Sequence, residues 1–198
     1  MWNKSNLRFS KLIVLAVLSC FFLEANADAY WQIIAEKSSL SFVYRQMGVP
    51  VEGAFKRFTS QIAFDPQKPF EARARFDIDL ASIDTGASDA DEEVRGKLWF
   101  NTKMFPQARF VSTAIDAMGS NVFDVSGKLT IKGKTLDMHT PVSFRQDGRN
   151  GVFEGVFVIK RADFAIGEGI WADFSAVANA VQIKFRLVAA STVSLVKK

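Results

Sequence analysis

Sulfur, imidazole and long apolar runs are all scarce in this chain. Cys20 and His139 are each the only residue of their kind among 198. One cysteine forms no disulfide within the chain, and one histidine beside it excludes the common metal sites built from several side-chain nitrogens and sulfurs. A lone imidazole also leaves a serine-type triad no base except His139, and no G-x-S-x-G elbow lies near it. His139 falls in a strand candidate and reads as an ordinary half-exposed strand histidine. Gly-rich phosphate loops, internal repeats, low-complexity segments and interdomain linkers are absent as well. The 23% of charged residues carry both signs, which excludes a disordered polyelectrolyte, and the length suits one domain.

The first residues read as an address. Residues 1–11 hold Lys4, Arg8 and Lys11 and no acid; residues 12–23 are apolar except for Ser19 and Cys20; Ala25-Asn26-Ala27 then offers a signal-peptidase site. Twelve residues at ~1.5 Å each do not cross a ~30 Å hydrocarbon core, so a cleaved secretory signal over 1–27 is expected rather than a retained anchor. Val17-Leu18-Ser19-Cys20 roughly resembles a lipoprotein signal, but Leu18 and the following Phe21-Phe22-Leu23 fit it poorly. Cleavage after Ala27 leaves 28–198 as a single exported domain. The pI of 9.2 then loses its meaning. Removing Lys4, Arg8, Lys11 and Glu24 takes 25 basic and 21 acidic residues to 22 and 20, a net +2 that gives nucleic acid no foothold.

What remains alternates with period two. Ala72, Ala74, Phe76, Ile78 and Leu80 share one face of 71–80, while Glu71, Arg73, Arg75, Asp77 and Asp79 share the other. This is a strand with one dry and one wet side. Ser39–Gln46, the face Phe58, Ser60, Ile62, Phe64, and the run Val181, Ile183, Phe185, Leu187 behave alike. Further strands are predicted at 108–115, 122–132, 135–145 and 152–162, with turns at 48–50, 65–66, 118–121, 132–134 and 146–151. About eight short antiparallel strands favour a barrel or sandwich. A helix is expected within 84–101: Ser88 and Asp91 resemble a capping box, Asp89, Asp91, Glu92 and Glu93 suit a helix start, and Val94 with Leu98 form a narrow apolar stripe. Those acids lack the register of a calcium loop.

Of the 19 Phe, Phe9, Phe21 and Phe22 leave with the signal, so the mature chain has 16 Phe against 2 Tyr. Surfaces that recognise polar partners favour Tyr and Trp; Phe on alternate positions suits a dry interior. An eight-stranded barrel is either filled by side chains or holds one slender ligand, and small residues such as Ala63, Ala72 and Ala74 would leave room for the second.

Seven segments follow in order: Ser39-Leu40-Ser41-Phe42, Val51 through Phe58 (VEGAFKRF), Phe64-Asp65-Pro66, Ile83-Asp84-Thr85-Gly86, Phe100 through Ser112 (FNTKMFPQARFVS), Gly127 through Thr135 (GKLTIKGKT) and Arg161-Ala162-Asp163-Phe164. In these the chain resembles the YceI-like, polyisoprenoid-binding proteins of the bacterial periplasm. This resemblance implies an all-β fold with one helix: a lipocalin-like, extended antiparallel barrel of eight strands with an apolar interior tunnel. The tunnel-lining candidates are then Phe42, Tyr44, Phe55, Phe58, Ile62, Phe76, Ile78, Phe110, Leu129, Ile131, Phe157, Ile159, Phe164, Ile183 and Phe185, with Arg161 and Asp163 as polar candidates at the tunnel mouth. Three departures stand out. Met47 precedes Gly48 where many members have histidine, Glu93 replaces a helix histidine, and Asp163-Phe164-Ala165 replaces Asp-Phe-Gly.

The resemblance implies a carrier or sequestering protein for a long-chain isoprenoid lipid, an isoprenoid quinone included, or a similar amphiphile, with no catalytic residue and no cofactor. Transient membrane contact is an expected partner interaction, and nucleic acid is not. Two rivals are an enzyme of lipid or quinone metabolism using Arg161 and Asp163, and a filled barrel acting as scaffold for an envelope partner. An outer-membrane barrel is excluded by outward faces such as Arg73-Arg75-Asp77-Asp79, which lipid does not tolerate at mid-depth.

Overall fold

A computed structural model describes residues 30–191; the segment expected as a signal, 1–27, and Cys20 lie outside them. Eleven strand segments and one helix follow in chain order: β1 (Tyr30–Ile33), β2 (Ser39–Gln46), β3 (Val49–Phe55), β4 (Phe58–Ala63), β5 (Arg73–Asp79), β6 (Ile83–Asp84), α1 (Ser88–Arg95), β7 (Gln107–Gly119), β8 (Val122–Ile131), β9 (Lys134–Asp147), β10 (Asn150–Lys160) and β11 (Ala180–Ser191). All pairings are antiparallel and form one closed sheet.

The eleven segments are eight strands, three of them broken. β11 pairs with β2 through Ile183 and Phe42 and then with β1 through Ala189 and Ile33, so β1 and β2 form one strand interrupted by the 3-10 turn Ala35–Lys37. β4 pairs with β1, and β3 with β2, making a second strand broken at Lys56-Arg57. β5 pairs with β4, and β6 with β3, making a third strand broken at the 3-10 turn Leu80–Ser82. The breaks are stitched together: the Lys56 N–H donates to Ser82 O, the Asp79 N–H donates to Arg57 O, and the Ser82 hydroxyl accepts from the Arg57 N–H at 3.0 Å. From β5 onward β7, β8, β9, β10 and β11 pair in sequence, giving an eight-stranded barrel closed by its first and last strands.

Tight turns account for the register of the longer half. Four hairpins have two-residue loops, and in three of them both loop residues have positive φ: Met47 49° and Gly48 81°, Ser120 52° and Asn121 58°, Lys132 47° and Gly133 75°. That is the turn whose twist matches the flanking strands. The first of these places the turn at Met47-Gly48, so Val49 and Pro50 belong to β3 rather than to the turn expected at 48–50. Pro50 sits near the start of β3, where its missing N–H leaves no ladder bond unmade.

The helix forms where expected, with a different cap. Ala87, not Ser88, precedes its first turn, and its side chain makes no capping bond. Asp91 instead reaches back to Thr85, accepting from both its N–H and its hydroxyl at 2.7 Å. The helix stops at Gly96, so Leu98 lies beyond it, and only Val94 of the expected stripe turns inward.

Two apolar clusters divide the interior. At one end Trp31, Phe64, Phe123, Phe144 and Phe153 meet mostly edge to face, with centroids 5.0–6.0 Å apart. Rings in this arrangement gain about 0.5–1.5 kcal/mol per pair beyond area burial. The Trp31 Nε1–H donates to Phe64 O at 2.8 Å, so the cluster leaves no indole unsatisfied. At the helix end Leu80, Trp99, Leu129, Ile131, Phe164, Ile166 and Val177 form the second cluster.

Candidate ligand-binding cavity

Between the clusters lies a cavity of about 420 Å³. On β11 it is lined by Val181, Ile183, Phe185 and Leu187, alternate residues whose span at ~3.3 Å per residue is about 20 Å. The floor is made by Phe64, Phe123 and Phe153 of the aromatic cluster. Exposed Gln46 and Glu93 border an opening at the helix end, and exposed Arg73 borders the cavity at the start of β5. The volume is in the ~300–1,000 Å³ range of small-molecule sites.

Glycines keep this space open. On inward-facing positions, Gly53 lies under the ring of Phe42, Gly127 under Phe110 and Gly155 under Phe185. A Cβ at those positions would meet ring atoms at 2.3, 2.4 and 2.4 Å. The rings therefore lie down across neighbouring strands instead of projecting into the centre. The small residues singled out from the sequence contribute less: Ala74 lines the cavity, Ala72 packs into the aromatic cluster, and Ala63 is half-buried away from the lining.

Fourteen of the fifteen apolar candidates line the cavity: Phe42, Tyr44, Phe55, Phe58, Ile62, Phe76, Ile78, Phe110, Leu129, Ile131, Phe157, Ile159, Ile183 and Phe185. Phe164 does not. It packs at 3% exposure beneath the helix-end cluster, because it belongs to the 3-10 turn Arg161–Phe164, where strand parity no longer decides direction. Asp163, on the same turn, is exposed and outside the lining. It makes no ion pair with Arg161. Sequence alternation missed Trp99, Phe100, Val94, Ile166, Trp171 and Val177, which reach the cavity from the helix and from loops.

Arg161 lines the cavity, but as a fastener. It is 1% exposed and all five of its N–H groups are used. Nε donates to Ala178 O (3.2 Å), Nη1 to Ile166 O and Gly167 O (both 2.9 Å), and Nη2 to Trp171 O (2.6 Å) and Val177 O (2.9 Å). Its guanidinium lies 5.4 Å from the Trp99 ring centroid and 5.0 Å from that of Phe174. Burial draws its pKa below the usual guanidinium value. One side chain thus holds the loop 166–178 against the barrel. Met47 N–H donates to Ala176 O and Ala178 N–H to Arg45 O, which fixes the same loop to the β2–β3 hairpin. Trp171 Nε1–H donates to Glu93 Oε1 at 2.8 Å, tying loop to helix.

The outer charges are structural. Asp77 receives hydrogen bonds from Arg75 (2.8 Å) and from Arg109 on the neighbouring strand. Burial alone would raise its pKa; the two guanidinium hydrogen bonds outweigh that and lower it. Asp79 pairs with Arg57, and the exposed His139 lies 3.7 Å from Asp124, outside the lining.

The model of the YceI-like domain matches residues 31–189. The chain belongs to the YceI-like domain family. Among solved structures, this YceI-like chain is similar to Burkholderia cenocepacia BcnA, at 49% identity and a TM-score of 0.78, over 80% of this chain and 99% of that one. A polyisoprenoid-binding domain from Saccharophagus degradans shares the fold at 22% identity and a TM-score of 0.65, over 83% and 99% of the two chains. A UPF0312 protein of Photorhabdus laumondii is 33% identical over 57% of this chain and 61% of its own length. The chain thus spans about three-fifths of that relative. In this YceI-like domain Ala165 stands where the resemblance expects glycine, and it adopts a left-handed φ of 54°.

Proposed function

We propose that this YceI-like domain is a non-catalytic carrier or sequestering protein for a long-chain isoprenoid lipid, an isoprenoid quinone included. It works in the periplasm after cleavage behind Ala27. The observation that carries the proposal is the cavity itself: about 420 Å³, some 20 Å long on β11, with almost wholly apolar walls. A five-carbon isoprene unit gains ~3–4 kcal/mol gross on burial, at ~0.8 kcal/mol per carbon. Ordering costs offset part of this, yet a chain of several units is held far better in a dry tube than in water. The rings laid over Gly53, Gly127 and Gly155 suit a slender, uncharged chain.

A non-catalytic role is supported by what the polar groups are doing. Arg161 has no N–H left to offer, Asp163 lies outside the lining, and His139 is exposed on the outer surface. Exposed Met47, Ile170 and Phe174 lie on the hairpin and loop that frame the helix end. They suit a brief contact with a membrane from which the lipid is drawn. Native mass spectrometry and organic extraction of the purified protein test the carrier reading. A co-purified isoprenoid lipid is expected; a protein that is ligand-free and takes up neither isoprenoid nor fatty-acyl probes overturns it.

A further inference from the structure

The polar groups of the cavity differ in what they leave unspent. Thr85 donates its hydroxyl to Asp91 at 2.7 Å, Thr140 to Val156 O at 3.2 Å, and Trp171 its indole N–H to Glu93. Arg161 gives all five donors to carbonyls. Trp99 Nε1 has no acceptor, but it is sealed among protein atoms and closed to any ligand in this arrangement. Among the lining groups that are not exposed, Tyr44 is the exception; the exposed side chains of Gln46 and Arg73 stand only at the border. The Tyr44 hydroxyl has no protein partner among the described residues, and it is not sealed as Trp99 Nε1 is. Tyr44 lines the cavity from β2, beside Phe42 with ring centroids 6.2 Å apart, and packs on the helix-end cluster.

Charge around the cavity points the same way. With Arg161 spent, the lining holds no free guanidinium at the helix end; Arg73, its other arginine, lies at the aromatic end, away from Tyr44. Lys132, the nearby ammonium, is bonded to Ala165 O (2.6 Å), Lys97 O (3.2 Å) and Glu168 (2.8 Å), and it lies outside the lining. The one acid in the lining, Glu93, would repel a phosphate. Burial raises the Tyr44 pKa above the ordinary phenol value, so the group stays a neutral donor across the working range of pH.

We infer that Tyr44 is the head-group donor of this cavity, and that the head it selects is neutral and carries a carbonyl-type acceptor oxygen rather than a diphosphate. This rests on the carrier reading above. The ligand's chain fills the apolar length toward the Phe64–Phe153 floor, and its oxygen accepts from Tyr44 Oη near the opening.

Four probes with one C15 chain test it: farnesal, farnesol, farnesyl diphosphate and the saturated hydrocarbon farnesane, titrated into the whole protein by calorimetry. Farnesal should bind the wild type at least ten-fold tighter than the diphosphate. Tyr44→Phe should weaken farnesal roughly three- to ten-fold, the worth of one net hydrogen bond, and leave farnesane unchanged. The variant removes a hydroxyl without a protein partner, so its thermal midpoint should not fall. The carbonyl stretch of bound farnesal should move to lower wavenumber in the wild type and return toward its free position in Tyr44→Phe. Equal farnesal affinity and equal carbonyl frequency in the two proteins, or tightest binding of the diphosphate, overturns the inference while farnesane binding leaves the carrier reading standing. If no probe binds, farnesane included, the carrier reading fails and takes this inference with it.

Discussion

The two ends of the barrel solve opposite problems by opposite means. At the aromatic end, rings projecting from β1, β8, β9 and β10, with Phe64 just past β4, meet one another, and strand alternation alone delivers them. At the helix end the wall is finished by α1, the turn Leu80–Ser82 and the loop 166–178, fastened through polar bonds. A filled end needs only apolar parity. An end that must admit something needs backbone that leaves the sheet, and that backbone needs donors to hold it. The comparison explains why the largest fully buried side chain among the described residues is an arginine.

The largest effect is expected from Arg161→Leu. It strands five carbonyls at once, and with each unmade buried bond costing ~1–3 kcal/mol the loss should reach about 5 kcal/mol or more by urea denaturation. Amide exchange across 166–178 should accelerate with it. A loss below ~1 kcal/mol would mean the loop does not hang on this side chain. Phe64→Ala attacks the other end and should cost ~3–5 kcal/mol as a core truncation, with exchange in 166–178 unchanged. Coupled loosening of both ends by either variant would dissolve the distinction.

Gly155→Ala acts between the two. Its Cβ needs Phe185 to move by more than an ångström, so the ring should swing inward; a cost of ~1–3 kcal/mol and a shorter maximum chain length among bound lipids are expected. The smallest effect belongs to the outer wall. Asp77 has a lowered folded pKa, so its contribution is present above the ordinary carboxylate value of ~3.9 and is lost as pH falls through the lower folded value. Asp77→Asn should cost about 1 kcal/mol at neutral pH. It should also flatten the acid limb of the stability curve in that window. An unchanged acid limb would show that the Arg75–Asp77–Arg109 pairing is idle.

Much of the barrel was legible because one-sided burial imposes a period of two, and Ile183, Phe185 and Phe76 could be aimed inward from spacing alone. The breaks at 35–37, 56–57 and 80–82 were not, since they interrupt strands without interrupting apolar parity for long enough to register. Phe164 came in through the resemblance of Arg161-Ala162-Asp163-Phe164, not through parity; it lies past the end of β10, in a 3-10 turn that sends it into the core. Arg161 and Asp163 looked like a pair because they are two apart, which implies a shared face only in a strand. Gly53, Gly127 and Gly155 were visible as residues, but their meaning depended on which ring lies across each, a fact of register rather than of local pattern.

The seam of the barrel has a consequence for how the molecule comes into being. Ile33 lies beside Ala189, and the Ser38 hydroxyl donates to Val188 O across 150 residues of chain. Every other joint except those of the broken strands pairs strands that follow one another along the chain. Synthesis therefore delivers an open, curling sheet whose greasy inner surface stays uncovered until β11 emerges. Such a surface, waiting on the most distant contact, is the slow and aggregation-exposed stage of folding. The final strand is the clasp, and nothing upstream of it can shut the barrel early.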